Sequence, residues 1–239
     1  MGPHDCIDAS AIPLTREGFY ATNNQFQRRG PKGFMEVKVL ENNELYVRVD
    51  MPGVPDDAVL HRIDSVRKKV VFFSGETPPA AETQREYSGC AGLGCDCCDI
   101  TGVNATMKDG VLRMLITRVK VKDEDMRCTL TLPTYTGKSG RYLEDHPFVV
   151  KGPKRAHFAK ATEDGRLCAT FDVPGASADD VRVFLEEDEV RFYVETEKVC
   201  EHDESGRAYL GSIGYHGMSG VVFNWEAKHG ILHLFLSPN

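Results

Sequence analysis

Apolar side chains recur along most of the chain at every second position, the spacing of a strand with one face buried and one face wet. Leu45, Val47 and Val49 alternate with Tyr46, Arg48 and Asp50, and much later Leu167, Ala169 and Phe171 alternate with Cys168, Thr170 and Asp172. Pro52-Gly53 and Pro174-Gly175 follow these runs and end them, since proline cannot donate to a ladder and glycine accepts a turn. Further strands are predicted at Val59–Ile63 and Val70–Ser74, and again at Val181–Leu185 and Val190–Glu195. Lys108-Asp109-Gly110 reads as a hairpin turn, after which Leu112, Met114 and Ile116 share a face, as Leu232, Leu234 and Leu236 do later. No 3.6-residue period competes with this one.

The pattern occurs twice. At an offset of 122 positions, Gly30-Pro31-Lys32, Asp50, Asp57 and Val59 fall on Gly152-Pro153-Lys154, Asp172, Asp179 and Val181, and Arg85, Tyr87 and Gly89 fall on Arg207, Tyr209 and Gly211. After a two-residue shortening, Lys108-Asp109-Gly110-Val111-Leu112 matches Lys228-His229-Gly230-Ile231-Leu232. Short strands with frequent turn signals predict an all-β chain of two tandem immunoglobulin-like β-sandwiches of about 90–100 residues each. The expected division is a flexible head at 1–17, a first domain at 18–118, a linker at 119–141 and a second domain at 142–239.

Composition narrows the function classes. The 239 residues are 41% hydrophobic and 27% charged with a net charge of −7, globular values that argue against a phosphate-backbone binder. There is no apolar run of membrane-spanning length and no basic-then-apolar start, so an intracellular protein, cytoplasmic or nuclear, is expected. No phosphate-binding loop, dinucleotide fingerprint or nucleophile elbow is present, and no enzyme, catalytic residue or cofactor is expected. His229 and His233 lie four apart in a hairpin, where exposed imidazoles are expected rather than a metal site. Arg28-Arg29 and Val66-Arg67-Lys68-Lys69 read as solvated turns. Four cysteines crowd together as Cys90, Cys95, Cys97 and Cys98; their spacing is not a zinc-knuckle pattern, so packing is expected, with zinc ligation or a redox switch as the other reading. Phe19, Tyr20 and Phe26 could form a binding arm, but Tyr20 and Phe26 recur as Tyr142 and Phe148, so packing against their own sandwich is expected.

Three stretches together resemble the α-crystallin domain of small heat-shock proteins, the Hsp20 family. They are Asp50-Met51-Pro52-Gly53-Val54 with Asp57 and Val59 after it, Phe72-Phe73-Ser74-Gly75-Glu76, and Val103-x-Ala105-x-x-Lys108-Asp109-Gly110-Val111-Leu112. Tandem copies look most like divergent plant members. The resemblance implies an ATP-independent holdase whose partners are unfolding client proteins, or else a non-chaperone adaptor presenting strand edges to specific protein partners. A metal or redox sensor built on Cys90–Cys98 is a third reading. The resemblance also implies an apolar groove for short aliphatic motifs, with Val59, Ile63, Val103 and Ala105 as its lining in the first copy. Trp225 stands where Ala105 does and is expected to fill the second groove. The family's C-terminal docking motif has no match in the final Leu236-Ser237-Pro238-Asn239, and the segment that the family exchanges between partners shrinks to Thr77–Gln84. A monomer or small dimer with intramolecular domain pairing is therefore expected, without nucleic-acid or membrane partners. A flexible linker of about 20 residues, reaching about 25 Å, permits that pairing.

Overall fold

Both runs of strict alternation are strands over the residues read from the sequence: β3 is Leu45–Asp50 and β11 is Leu167–Asp172. The computed structural model describes residues 24–122 and 148–238, except Lys32, Arg67, 93–96, Asp164, Glu187 and 216–220. The expected head, and with it Phe19 and Tyr20, lies outside the described residues, as do Tyr142 and most of the expected linker. In the first repeat β1 (Gln27–Arg29), β2 (Met35–Val39), β3, β4 (Val59–Ile63), β5 (Val70–Glu76), β6 (Glu86–Gly92), β7 (Cys98–Lys108) and β8 (Val111–Lys120) follow one another. In the second, β9 (Phe148–Lys151), β10 (His157–Ala161), β11, β12 (Val181–Glu186), β13 (Glu189–Glu195), β14 (Ala208–Gly214), β15 (Val221–Lys228) and β16 (Ile231–Pro238) repeat the order. A single 3-10 turn at Ala178–Asp180 is the only helical element among the described residues. β8 runs two residues into the span expected to be linker.

The strands form four antiparallel four-stranded sheets, two per sandwich, and the fold is all-β. One sheet of each sandwich is local: β2-β3-β8-β7 in the first and β10-β11-β16-β15 in the second. The other sheet is completed from the opposite repeat. β9 pairs with β6, setting Val150 opposite Tyr87, while β1 pairs with β14, setting Gln27 opposite Tyr209. Each repeat thus lends its leading strand to the other.

The loan carries core with it. Val150, 4% exposed, belongs to the first apolar core with Leu45, Val47, Val71, Phe73, Leu112 and Met114. Phe26 belongs to the second, edge-on to Phe171 at 5.0 Å and tilted on Phe192 at 5.8 Å. This corrects the expectation that Phe26 packs on its own sandwich. A two-residue period cannot tell which copy receives a strand, because both copies offer the same apolar pattern. Room for the ring comes from Gly211, where a Cβ would lie 2.8 Å from Phe26 and 2.5 Å from Phe192.

The two hairpin turns meet at the centre of the molecule. Asp109 and Gly110 have φ of 48° and 72°, His229 and Gly230 of 52° and 70°, the doubly positive pair that a tight two-residue hairpin requires. Gly53 N–H donates to the His229 carbonyl and Gly175 N–H to that of Asp109, each at 2.8 Å. A Cβ on Gly110 or Gly230 would sit 2.5 Å from the facing carbonyl oxygen, so the approach depends on glycine. The contacts are reciprocal, residue for residue, as across a twofold axis.

Candidate functional site: edge grooves and the repeat interface

The sequence-predicted groove residues come together. β4 and β7 are edge strands of the two sheets of the first sandwich. Val59 and Ile63 from β4, with Val103 and Ala105 from β7, are half-buried against the first core. Neither strand has a partner on its outer side among the described residues, so aliphatic side chains lie beside backbone groups that an extended segment could pair with. In the second sandwich the corresponding edges are β12 and β15. Trp225 faces Leu234 in the register where Ala105 faces Met114, and with Val183 and Phe223 it packs half-buried against the second core. Beyond it, Leu185 is 45% exposed.

A second constellation was not foreseen. Tyr46, Arg48 and Asp50, the presumed wet face of β3, are 2%, 3% and 5% exposed. What covers them is the other repeat. Arg207, on the segment leading into β14, donates to Asp50 at 2.6 Å, and Nη1 of its counterpart Arg85 donates to both carboxylate oxygens of Asp172 at 2.9 and 3.0 Å. Arg85 also donates to the carbonyls of Pro153 and Arg155 at 2.9 Å. The hydroxyls of Tyr87 and Tyr209 donate at 2.8 Å to the carbonyls of Pro52 and Pro174, tying each arginine strand to its own Pro-Gly turn. A signal for this existed in the sequence: Asp50 with Asp172, and Arg85 with Arg207, repeat at one offset at positions that solvent alone would not constrain.

The short segment Thr77–Gln84 and its counterpart at 196–206 also cross between repeats, as loops rather than strands. Asp203 accepts from the Tyr46 hydroxyl and pairs with Arg113 at 3.0 Å. Burial raises the Asp203 carboxyl, but Arg113 and Tyr46 outweigh it and hold the group below the usual carboxylate range. On the opposite side Glu82 accepts from the Cys168 thiol at 3.0 Å. Burial and Glu82 together push that thiol up to about 12, so it stays protonated.

His233 stands near this contact, stacked on Phe235 at 6.3 Å, and burial lowers its affinity for protons. The folded state therefore binds fewer protons than the unfolded chain once pH falls below about 6.5, the unperturbed imidazole value, and stability drops with falling pH across that range. His233→Gln is expected to flatten this limb in urea unfolding measured from pH 8 to 5; an unchanged slope would place the titration elsewhere.

His229 and His233 are both half-buried, which corrects the expectation of exposed imidazoles: the first lies in a turn docked on the opposite repeat, the second beneath the crossing Glu82 segment. Arg28-Arg29 forms part of β1 rather than a turn, with Arg29 paired to Glu195, and Lys69 pairs with Asp99 at 2.8 Å. Of the cysteine cluster, Cys97 and Cys98 are buried in the first core with their sulfurs 3.8 Å apart, and Cys90 is half-buried on β6 opposite Phe72. Cys95 lies outside the described residues, among which no three acidic, histidine or cysteine side chains converge as a metal set would.

The family described as "Predicted plant small heat shock protein" matches residues 6–239. An Arabidopsis thaliana protein named "Putative 57 kDa heat shock protein" is 40% identical over 114 residues, 46% of this chain and 21% of that protein, so the likeness spans about a fifth of the relative's length. With a match that runs through both repeats, the chain belongs to the plant small heat shock protein family.

Proposed function

We propose that the chain is an ATP-independent holdase that captures extended apolar segments of unfolding proteins at strand edges, acting as a monomer or small dimer. One observation carries this reading: Val59, Ile63, Val103 and Ala105 form a half-buried aliphatic lining between two unpartnered edge strands of the first sandwich. An extended segment docked there would gain backbone hydrogen bonds from an edge and bury alternate side chains among these four, which needs neither nucleotide nor catalytic group. Trp225 at the position of Ala105 supports the first repeat as the open site. An adaptor that presents the same edges to specific partners is the second reading, favoured by the internal exchange of strands, which fixes how many edges remain open.

Two measurements separate these readings. Suppression of aggregation of several unrelated clients at substoichiometric protein is expected, and no suppression of any client would leave only the adaptor. An aliphatic I-x-V peptide is expected to bind about tenfold more weakly to Val103→Asp than to the wild type, a loss of about 1.4 kcal/mol, with little change in Trp225 emission. Peptide binding that shifts Trp225 emission and ignores the Val103 substitution would move the site to the second sandwich.

A further inference from the structure

The two interface arginines are unequally satisfied. Every nitrogen of the Arg85 guanidinium has an acceptor: Nε on Pro153, Nη1 on Asp172 and Tyr87, Nη2 on Arg155. Arg207 uses only Nη1, on Asp50 and Tyr209, and its Nε and Nη2 have no hydrogen-bond partner. The carbonyl of Pro31, counterpart of Pro153, is taken by the Gln27 side chain at 2.9 Å. Next to this pair the first repeat has Arg48 where the second has Thr170, and Nε and Nη2 of Arg48 are unpartnered as well. Arg48 and Arg207 are 3% and 4% exposed, and together with Arg113 they line a void of about 10 Å³ between the repeats.

The geometry points to a site at this void, lined by the buried Arg48 and Arg207 and bordered by the exposed Glu197, Val199 and Ser205, for one monovalent anion of chloride size. The four nitrogens without a hydrogen bond carry six N–H groups, one on each Nε and two on each Nη2; of the carboxylate oxygens that also lack one, the two of Glu36 face Lys38 and Arg48 Nη1, and Asp50 Oδ1 lies 4.0 Å from Arg48 Nε. A water accepts two hydrogen bonds and brings two hydrogens that need acceptors of their own. A halide only accepts, and does so from many directions. Among the buried and half-buried groups Arg48, Arg113, Arg207 and Lys38 face Glu36, Asp50 and Asp203, one cation in excess, while the carboxylate of the exposed Glu197 stands at the solvent side of the lining. The void has room for about one water-sized sphere, which excludes phosphate, sulfate and carboxylates. Around Arg85 the arrangement is not repeated, since Thr170 and His233 stand in place of Arg48 and Arg113. The anion would act as an interface ligand, joining the β3 face of the first repeat to the arginine strand of the second.

Thermal unfolding of the full chain in sodium chloride and in sodium gluconate at equal ionic strength tests this, together with ³⁵Cl line-broadening and diffraction from bromide-soaked crystals. Chloride is expected to stabilise the protein saturably over gluconate, raising the folded-to-unfolded ratio about a hundredfold at a hundred times its dissociation constant. Bromide is expected within hydrogen-bond distance of Arg48 and Arg207. Arg48→Thr, which copies the second repeat, should retain its strand spectrum and lose the chloride-specific gain. Where that variant does not fold, bromide diffraction on the wild type decides. A void refining as water without anomalous signal, or equal stability in the two salts, overturns the proposal.

Discussion

Asp172→Ala is expected to lower the midpoint of thermal unfolding by about 10 °C, more than any surface substitution in the chain. The change removes the carboxylate that receives both hydrogen bonds from Arg85 Nη1, at a site where the two side chains are 1% and 4% exposed. Leaving a buried guanidinium without its anion typically costs about 3–5 kcal/mol, and in a protein of this size each kcal/mol moves the midpoint by about 2–4 °C. Asp172→Asn keeps an acceptor and a similar shape, so its loss should be smaller. Replacing both partners by apolar residues, as Arg85→Met with Asp172→Leu, should recover part of the loss, because the desolvation of both charges disappears with the pair. Asp50→Ala should also destabilise, since it takes from Arg207 its only carboxylate partner and from Arg48 a facing charge, and its rank against Asp172→Ala measures how far the carbonyl acceptors of Arg85 compensate for the lost anion. Circular dichroism melts of the four variants give the ranking. An Asp172→Ala midpoint within about 2 °C of the wild type would mean that the pair is hydrated and the repeats are open in solution.

The fold was legible because periodicity and turn chemistry are local. The alternation at Leu45–Asp50, the Pro-Gly stops and the Asp109-Gly110 turn each specify their own element, and the repetition at one offset doubles the evidence. Reciprocity was not legible. Nothing in the pattern around Phe26 or Val150 distinguishes packing on one copy from packing on the other, because exchange preserves every local preference and alters only which chain segment satisfies it. The same gap hid the interface: Tyr46, Arg48 and Asp50 occupy the polar phase of β3, and polarity was read as contact with water when the contact was with Arg207 and Asp203. Register brings Ala105 and Trp225 to corresponding edge-strand positions, since each is fixed by its distance from the hairpin turn. Its occupancy depends on side-chain size at edge strands, which no period encodes.

Cleavage of the linker in the intact protein, at a protease site inserted within residues 123–147, is expected to leave the two halves bound in a 1:1 complex at micromolar concentration. After the cut each half still depends on the other for a strand: the first for β9 against β6, the second for β1 against β14. The covalent link supplies an effective concentration of only about millimolar order, whereas the contacts it brings together include two buried arginine pairs, Val150 in one core and Phe26 in the other. Expressed separately, neither half should remain monomeric. Without β9 the first exposes the β6 edge and the pocket that held Val150, and it carries Phe26 with no core to enter, the combination that drives edge-to-edge association. Phe26→Ala should weaken the cut complex in particular, since truncating a buried phenylalanine costs about 3–5 kcal/mol and here that cost falls on the contact between halves. Size-exclusion chromatography with light scattering reads the outcome. Co-elution that survives dilution, with earlier dissociation for Phe26→Ala, is the expected result; two soluble, monomeric and equally stable fragments would show that each sandwich completes its sheet without the other.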